Sequence, residues 1–171
     1  MNPDHIFIRH IRIDDLDQIQ KFCFEQLSQN QDPMSQIRIS ERQYAWEMKR
    51  LRQDWLAQQC YIAYIAEDKT EGDAKIVGYG AAVITHQPHF FSIETIAALG
   101  ELWVVPEYRG IGIGKGIVSA IMEELKNIGI DWISVHLGGN EVDTEAFFHK
   151  LGFSTDAIEV RKCLVLQNPS S

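Results

Sequence analysis

Between residues 109 and 116 the chain reads Arg-Gly-Ile-Gly-Ile-Gly-Lys-Gly, with glycine at every second position, Gly110, Gly112, Gly114 and Gly116. Such a run is a poor start for any regular element, because each glycine adds backbone entropy and removes a packing side chain. Upstream lies an extended stretch, Ile93 to Val105, closed by Pro106. Downstream, Ile117, Val118, Ile121, Met122, Leu125 and Ile128 recur at helical spacing up to Gly129, a residue type that ends helices in a left-handed turn. A strand, a glycine turn and a helix in that order put bare backbone N–H groups at a helix N-terminus, where the helix dipole helps them hold a phosphate. The bland alternative is a flexible turn, but a slack turn needs fewer glycines and no preceding Arg.

Spacing discriminates among phosphate cradles. A P-loop, G-x-x-x-x-G-K-[ST], with Gly114-Lys115 as its G-K pair requires glycine where Arg109 stands and Ser or Thr where Gly116 stands. A dinucleotide fingerprint, G-x-G-x-x-G, begun at Gly110 requires glycine at Lys115, and begun at Gly112 requires it at Ile117. Both patterns fail.

The rest of the chain supplies a mixed set of elements. Ile6 to Ile11 alternates as a strand, and Asp14 to Asp17 opens a helix carrying Leu16, Ile19, Phe22, Cys23 and Leu27 on one stripe. Ser28 to Ile39 is a polar loop. Ser40 and Gln43 form a capping-box pattern before a second helix with Tyr44, Met48, Leu51 and Trp55. Tyr61–Ala66 and Lys75–Thr85 flank the charged turn Glu67–Ala74 as an antiparallel hairpin. Asp131–Leu137 is a strand, Glu141–Leu151 a helix and Ala157–Leu166 a last strand. The predicted order is β-α-α-β-β-β-α-β-α-β, an α/β fold with one mixed central sheet and helices on its faces, in a single domain over residues 1–171.

Composition narrows the class. At ~100–200 residues per domain, 171 residues with 45% apolar content make one domain with a proper core. Sixteen Lys and Arg against 24 Asp and Glu give a net charge of −8, and no basic block is present, which argues against nucleic acid as partner. A cationic small substrate suits that balance better. Arg38 to Arg52 holds five positive and two negative charges, the pattern of a solvated helix face. No stretch reaches the ~18 apolar residues of a membrane span. Met-Asn-Pro-Asp-His lacks the features of a signal peptide, so a cytoplasmic location is expected. Cys23, Cys60 and Cys163 are widely spaced and in no C-x-x-C arrangement, as expected of reduced thiols acting as small buried apolar side chains. His86 and His89 have no acidic or Cys partner close by, and no metal site is expected.

The run Val104-Val105-Pro106-Glu107-Tyr108-Arg109-Gly110-Ile111-Gly112-Ile113-Gly114 resembles motif A of the GNAT superfamily of N-acetyltransferases, with the [RQ]-x-x-G-x-[GA] signature at Arg109, Gly112 and Gly114. Glu101-Leu102-Trp103-Val104 resembles the family's fourth strand. Phe148-His149-Lys150-Leu151-Gly152-Phe153 resembles its motif B, ending in Leu-Gly-Phe. The likeness of element order runs from Ile6 to Leu166.

The resemblance implies acetyl-CoA as acyl donor. Its pyrophosphate would rest on the backbone N–H groups of Arg109, Gly110, Ile111, Gly112, Ile113 and Gly114, with Lys115 adding charge; a Cβ at 112 or 114 would hold the phosphate off the main chain. Strand four would splay from strand five beside a bulge, opening a cleft, and the pantetheine arm would add to strand four through Trp103, Val104 and Val105. Glu101 stands where many members carry the general base; its other reading is a carboxylate paired with a cation or reaching solvent at the cleft edge. Glu94 is the second candidate.

The family's usual general acid is a motif-B Tyr, and here that position is Phe148, which would pack on the thioester end of the cofactor or in the core. A thiol with pKa near ~8.5 departs tolerably as the anion. Water or His136 could stand in, ahead of His149, which points about 100° away from Phe148 around a helix. Asn140 resembles the Asn that some members use on the pantetheine arm, offset by one residue, and serves equally as an N-cap or turn residue.

By the same resemblance the acceptor is a primary amine of a small molecule or peptide, attacking directly in a ternary complex. Loops Ser28–Ile39 and His86–Ser92 would border it, and neither carries a recognisable code. A homodimer is compatible with this reading. Two other readings stand beside it: a non-catalytic acyl-CoA-binding module, motivated by Phe148, and a nucleotide-binding domain using the same glycine cradle.

Overall fold

The computed structural model describes residues 5–21, 61–70, 74–86, 95–137 and 142–156. The second helix expected from Ser40, the loop Ser28–Ile39, most of the loop His86–Ser92, the closing strand, Glu94, Asn140 and the three cysteines lie outside the described residues. The chain divides into two units, Met1–His136 and Leu137–Ser171.

In the first unit β1 (Ile6–His10), β2 (Tyr61–Asp68), β3 (Lys75–His86), β4 (Thr95–Val104) and β5 (Ile133–Val135) form one sheet in that spatial order. The first four run antiparallel to their neighbours, and β5 runs parallel to β4. A parallel neighbour needs a crossover, which here is the helix Ile113–Asn127. The expected strand Asp131–Leu137 narrows to Ile133–Val135, although the Trp132 carbonyl already accepts from Ala97 N–H at 2.8 Å.

Two helices cover opposite faces of this sheet. The first, α1, begins at residue 16 after a 3-10 turn at Ile13–Asp15 and is described to residue 21. Its Ile19 joins Ile11, Ala63, Ile65, Ile76, Tyr79 and Ala81 in a core cluster, with Leu16 packed against it. The crossover helix, α2 (Ile113–Asn127), buries Ile113, Ile117, Val118, Ile121 and Leu125, one stripe of its surface, against the other face. It lies close because the floor beneath it is small. A Cβ on Gly80 would come within 2.6 Å of Ile117 Cγ2, and Gly116 on the helix itself meets Ile8 of β1.

The second unit contributes α3 (Val142–Lys150). Its end explains the Leu-Gly-Phe signature physically. Gly152 takes φ 91°, its N–H donates to His149 O at 3.0 Å, and Phe153 N–H donates to Phe148 O at 3.1 Å. That is the two-bond closure of a helix C-terminus by a left-handed residue, with Phe153 set against Phe148 at 5.2 Å between ring centres.

Candidate functional site

A bulge in β4 organises the site. Ala81 and Ala82 of β3 are consecutive, but their partners are Glu101 and Leu99, so Gly100 is an extra residue on β4. The bulge resets the alternation of the strand. Before it Leu99 pairs with Ala82 on the α2 face; after it Glu101 pairs with Ala81 and Trp103 with Tyr79 on the α1 face. Simple period-two counting would have left Leu99 and Glu101 on the same side. The carboxylate thus leaves the α2 face and stands half-buried on the opposite one.

The same point marks the end of pairing with β5. Among the described residues, β5 pairs with β4 only at Ala97, Ala98 and Leu99. Past Gly100 the outer edge of β4 has no strand partner among the described residues, while its inner edge stays paired to β3 as far as Val104. Which main-chain groups face outward follows from one hydrogen bond. Val105 N–H donates to Val77 O at 2.9 Å, toward β3. Backbone groups alternate in direction along a strand, so Trp103 shares that inward orientation, and Leu102 and Val104 point to the open edge. This departs from the expectation for Trp103 and Val105. The Val105 carbonyl is engaged as well, accepting from Tyr108 N–H at 2.8 Å. The open-edge carbonyl of Val104 accepts from Arg109 Nε at 3.0 Å.

The glycine loop follows directly. Pro106–Tyr108 make one 3-10 turn, after which Gly110 and Gly112 adopt φ 80° and 94°, conformations costly for any residue with a Cβ. Built Cβ atoms at both positions would meet nothing within 4 Å, so the space in front of the loop is open. Gly112 is the N-cap of α2, and the first intrahelical bond runs from Gly116 N–H to Gly112 O at 2.9 Å. The N–H groups of Ile113, Gly114 and Lys115 therefore have no carbonyl within the helix to donate to. No acidic side chain stands in this first turn, where one would ordinarily complement the dipole, and Lys115 is exposed there. Donors with no intrahelical carbonyl, a positive helix end, open space and an Arg and a Lys beside them fit a pyrophosphate.

Of the remaining candidates, His136 belongs to the first unit and Phe148 and His149 to the second. His136 is exposed just after β5. His149 lies 3.2 Å from Thr155 Oγ1 and 3.7 Å from Glu145, held by its own unit. Phe148 is 3% exposed and packs edge-on against Phe147 and Phe153. Gly100 is the site residue that sequence reasoning left unnamed, although a glycine inside a strand pattern is itself a bulge signal.

An open strand edge leads here into a glycine-lined helix N-terminus that satisfies neither the P-loop nor the dinucleotide spacing. The chain belongs to the acetyltransferase (GNAT) family, whose model matches residues 15–153. A mycothiol acetyltransferase of Saccharomonospora viridis is 23% identical over 143 residues, covering 77% of this chain and 45% of that protein. The chain thus spans under half the length of that relative. Among solved structures, a Bacillus halodurans protein superposes with TM-score 0.77 at 18% identity, covering 92% of this chain and 99% of that one. AAC(6')-Iy in complex with the bisubstrate analog CoA-S-monomethyl-acetylneamine gives TM-score 0.68 at 18% identity, covering 93% and 99%. At such identities the likeness is one of fold.

Proposed function

We propose that the chain is an N-acetyltransferase that moves an acetyl group from acetyl-CoA to a primary amine of a small molecule or peptide, within one domain spanning both units. The observation that carries this reading is the Gly100 bulge, which in one step opens the outer edge of β4 and turns Glu101 to the α1 face. Bound there, acetyl-CoA supplies an activated thioester. The chain's own residues do the rest. Outward main-chain groups of Leu102 and Val104 line the arm, and the N–H groups from Gly110 to Lys115, with Arg109 and Lys115, hold the pyrophosphate.

A Lys-like amine with pKa near ~10.4 is mostly protonated at pH 7 and cannot attack until it loses a proton. Glu101 takes that proton, directly or through one water. Phe148 offers no proton to the departing thiolate, which leaves as the anion or is protonated by water or His136. The bisubstrate complex of AAC(6')-Iy supports CoA as donor and an amine as acceptor. A cytoplasmic location belongs to the same reading.

Glu101→Gln tests the role of the carboxylate. Acetyl-CoA affinity stays unchanged while turnover falls by about 10²-fold or more, the usual worth of a positioned base. The buried, hydroxyl-free Phe148 favours one second reading, a non-catalytic acyl-CoA-binding module. Intact cofactor binding with no turnover on any amine would select it.

A further inference from the structure

We infer that Tyr108 and Asp68 form a strut that pre-sets the glycine loop for the cofactor's pyrophosphate; this rests on the acetyl-CoA reading above. The loop has little to hold it. Gly110 and Gly112 contribute no side chain, the space around them is open, and Ile111 is 38% exposed. On its C-terminal side the loop is anchored by Ile113, buried in the core under α2. On its N-terminal side, bonds among the described residues that fix it include Arg109 Nε to the Val104 carbonyl at 3.0 Å and Tyr108 OH to Asp68 Oδ2 at 2.8 Å. The first is local. The second joins residues 40 apart in sequence and ties the loop to the far end of β2.

The Asp68 end of the strut is itself held. Its Oδ1 accepts from Thr70 N–H at 2.8 Å and from the Thr70 hydroxyl. Bonds from Thr70 and then Tyr108 keep the Asp68 carboxyl below the usual carboxylate range, so it is an anion accepting from both at neutral pH. Lys75, at the start of β3, sits 5.9 Å over the Tyr108 ring. The last paired residues of β2 and β3, Asp68 and Lys75, thereby hold the ring that precedes Arg109 and the two left-handed glycines. A loop freed at that point samples many conformations, and each must be lost again when N–H groups converge on a phosphate. Tyr108 is a positioning residue in this scheme, acting through the loop and not on the reacting atoms.

The test is a double-mutant cycle read by acetyl-CoA titration, alongside thermal unfolding of the cofactor-free protein. Tyr108→Phe and Asp68→Ala each weaken acetyl-CoA binding by roughly three- to tenfold, the scale of one charge-assisted hydrogen bond partly spent on ordering. The double variant is no weaker than the weaker single one. Asp68→Asn, whose amide still bridges Thr70 and Tyr108, stays within about twofold of the parent. Cofactor-free unfolding midpoints remain within a few degrees. Parent-like affinity in both Tyr108→Phe and Asp68→Ala overturns the inference, as does a loss of affinity that tracks a matching fall in midpoint. A parent chain that binds no acetyl-CoA at all refutes the underlying reading instead.

Discussion

At the scale of single residues, the site depends on backbone conformations that side chains would spoil. Gly112 caps α2 at φ 94°. A Cβ there meets no neighbour, so the penalty in Gly112→Ala is conformational, about 1–2 kcal/mol. The helix relieves that strain by re-aiming its first turn, and the donors at Ile113, Gly114 and Lys115 move with it. Acetyl-CoA affinity in Gly112→Ala is expected to fall by about tenfold or more while the far-ultraviolet circular dichroism is kept. An unchanged dissociation constant would show that the loop's left-handed geometry does not matter to binding.

At the scale of elements, the start of α1 is tied to β1 and β2 by one charged network. Arg9 of β1 donates to both oxygens of Asp15, at 2.8 and 3.0 Å, and to Glu67 of β2, while Arg12 N–H donates to Asp15 at 2.6 Å. Burial alone would push the Asp15 carboxyl up, but hydrogen bonds from Arg9 and the Arg12 backbone together hold it below its ordinary 3.8. The Arg9 bond likewise holds Glu67 below its ordinary 4.5, against burial. Both folded-state values are depressed, so the unfolded chain binds more protons in the window between. The stability these groups supply is complete above their ordinary values and is lost as the pH falls through the folded ones.

Urea unfolding should therefore give a flat midpoint from pH 8 to about 6 and a falling one below about pH 4.5. Arg9→Ala costs on the order of 3 kcal/mol at pH 7, by removing the guanidinium shared by two buried carboxylates. Asp15 is left with the Arg12 N–H and Glu67 with Lys69 at 3.6 Å, and the deficit narrows in acid as both carboxylates protonate. A deficit that does not change with pH would contradict this account.

The same scale explains what the sequence made legible. The hairpin of β2 and β3, the α2 stripe and its stop at Gly129 all follow from local chemistry: alternation, apolar periodicity, and a glycine whose N–H donates to Lys126 O at 3.1 Å in the closing turn. The glycine loop was legible for that reason too. Strand alternation puts Glu101 on one face with Trp103, but its relation to Leu99 turns on the reset at Gly100, which a glycine in a strand pattern hints at and the pairing register fixes. The outward direction of Val104 and inward direction of Val105 needed the pairing register. The Tyr108–Asp68 bond is a product of folding between distant segments and leaves no trace in local pattern.

At the scale of the whole molecule, net charge −8 sets a problem for a polyanionic cofactor. The far field would repel it, and among the described residues local dipoles with Arg109 and Lys115 would attract it. Added salt screens both, the long-range repulsion most, since at ~0.15 M charges beyond ~8 Å are largely decoupled. Acetyl-CoA affinity should thus weaken little between low and physiological ionic strength. A steep loss over that range would mean that side-chain charge, and not the backbone cradle, dominates binding.

On the proposed reading, the open edge of β4 and the glycine loop present acetyl-CoA to an amine. Thiol release from acetyl-CoA, followed over a panel of primary amines with the purified chain, tests it most directly. The expected result is release that requires an amine, saturates in both substrates and collapses in Glu101→Gln. An absence of acetyl-CoA binding at millimolar concentration, with no thiol released for any amine, would contradict it.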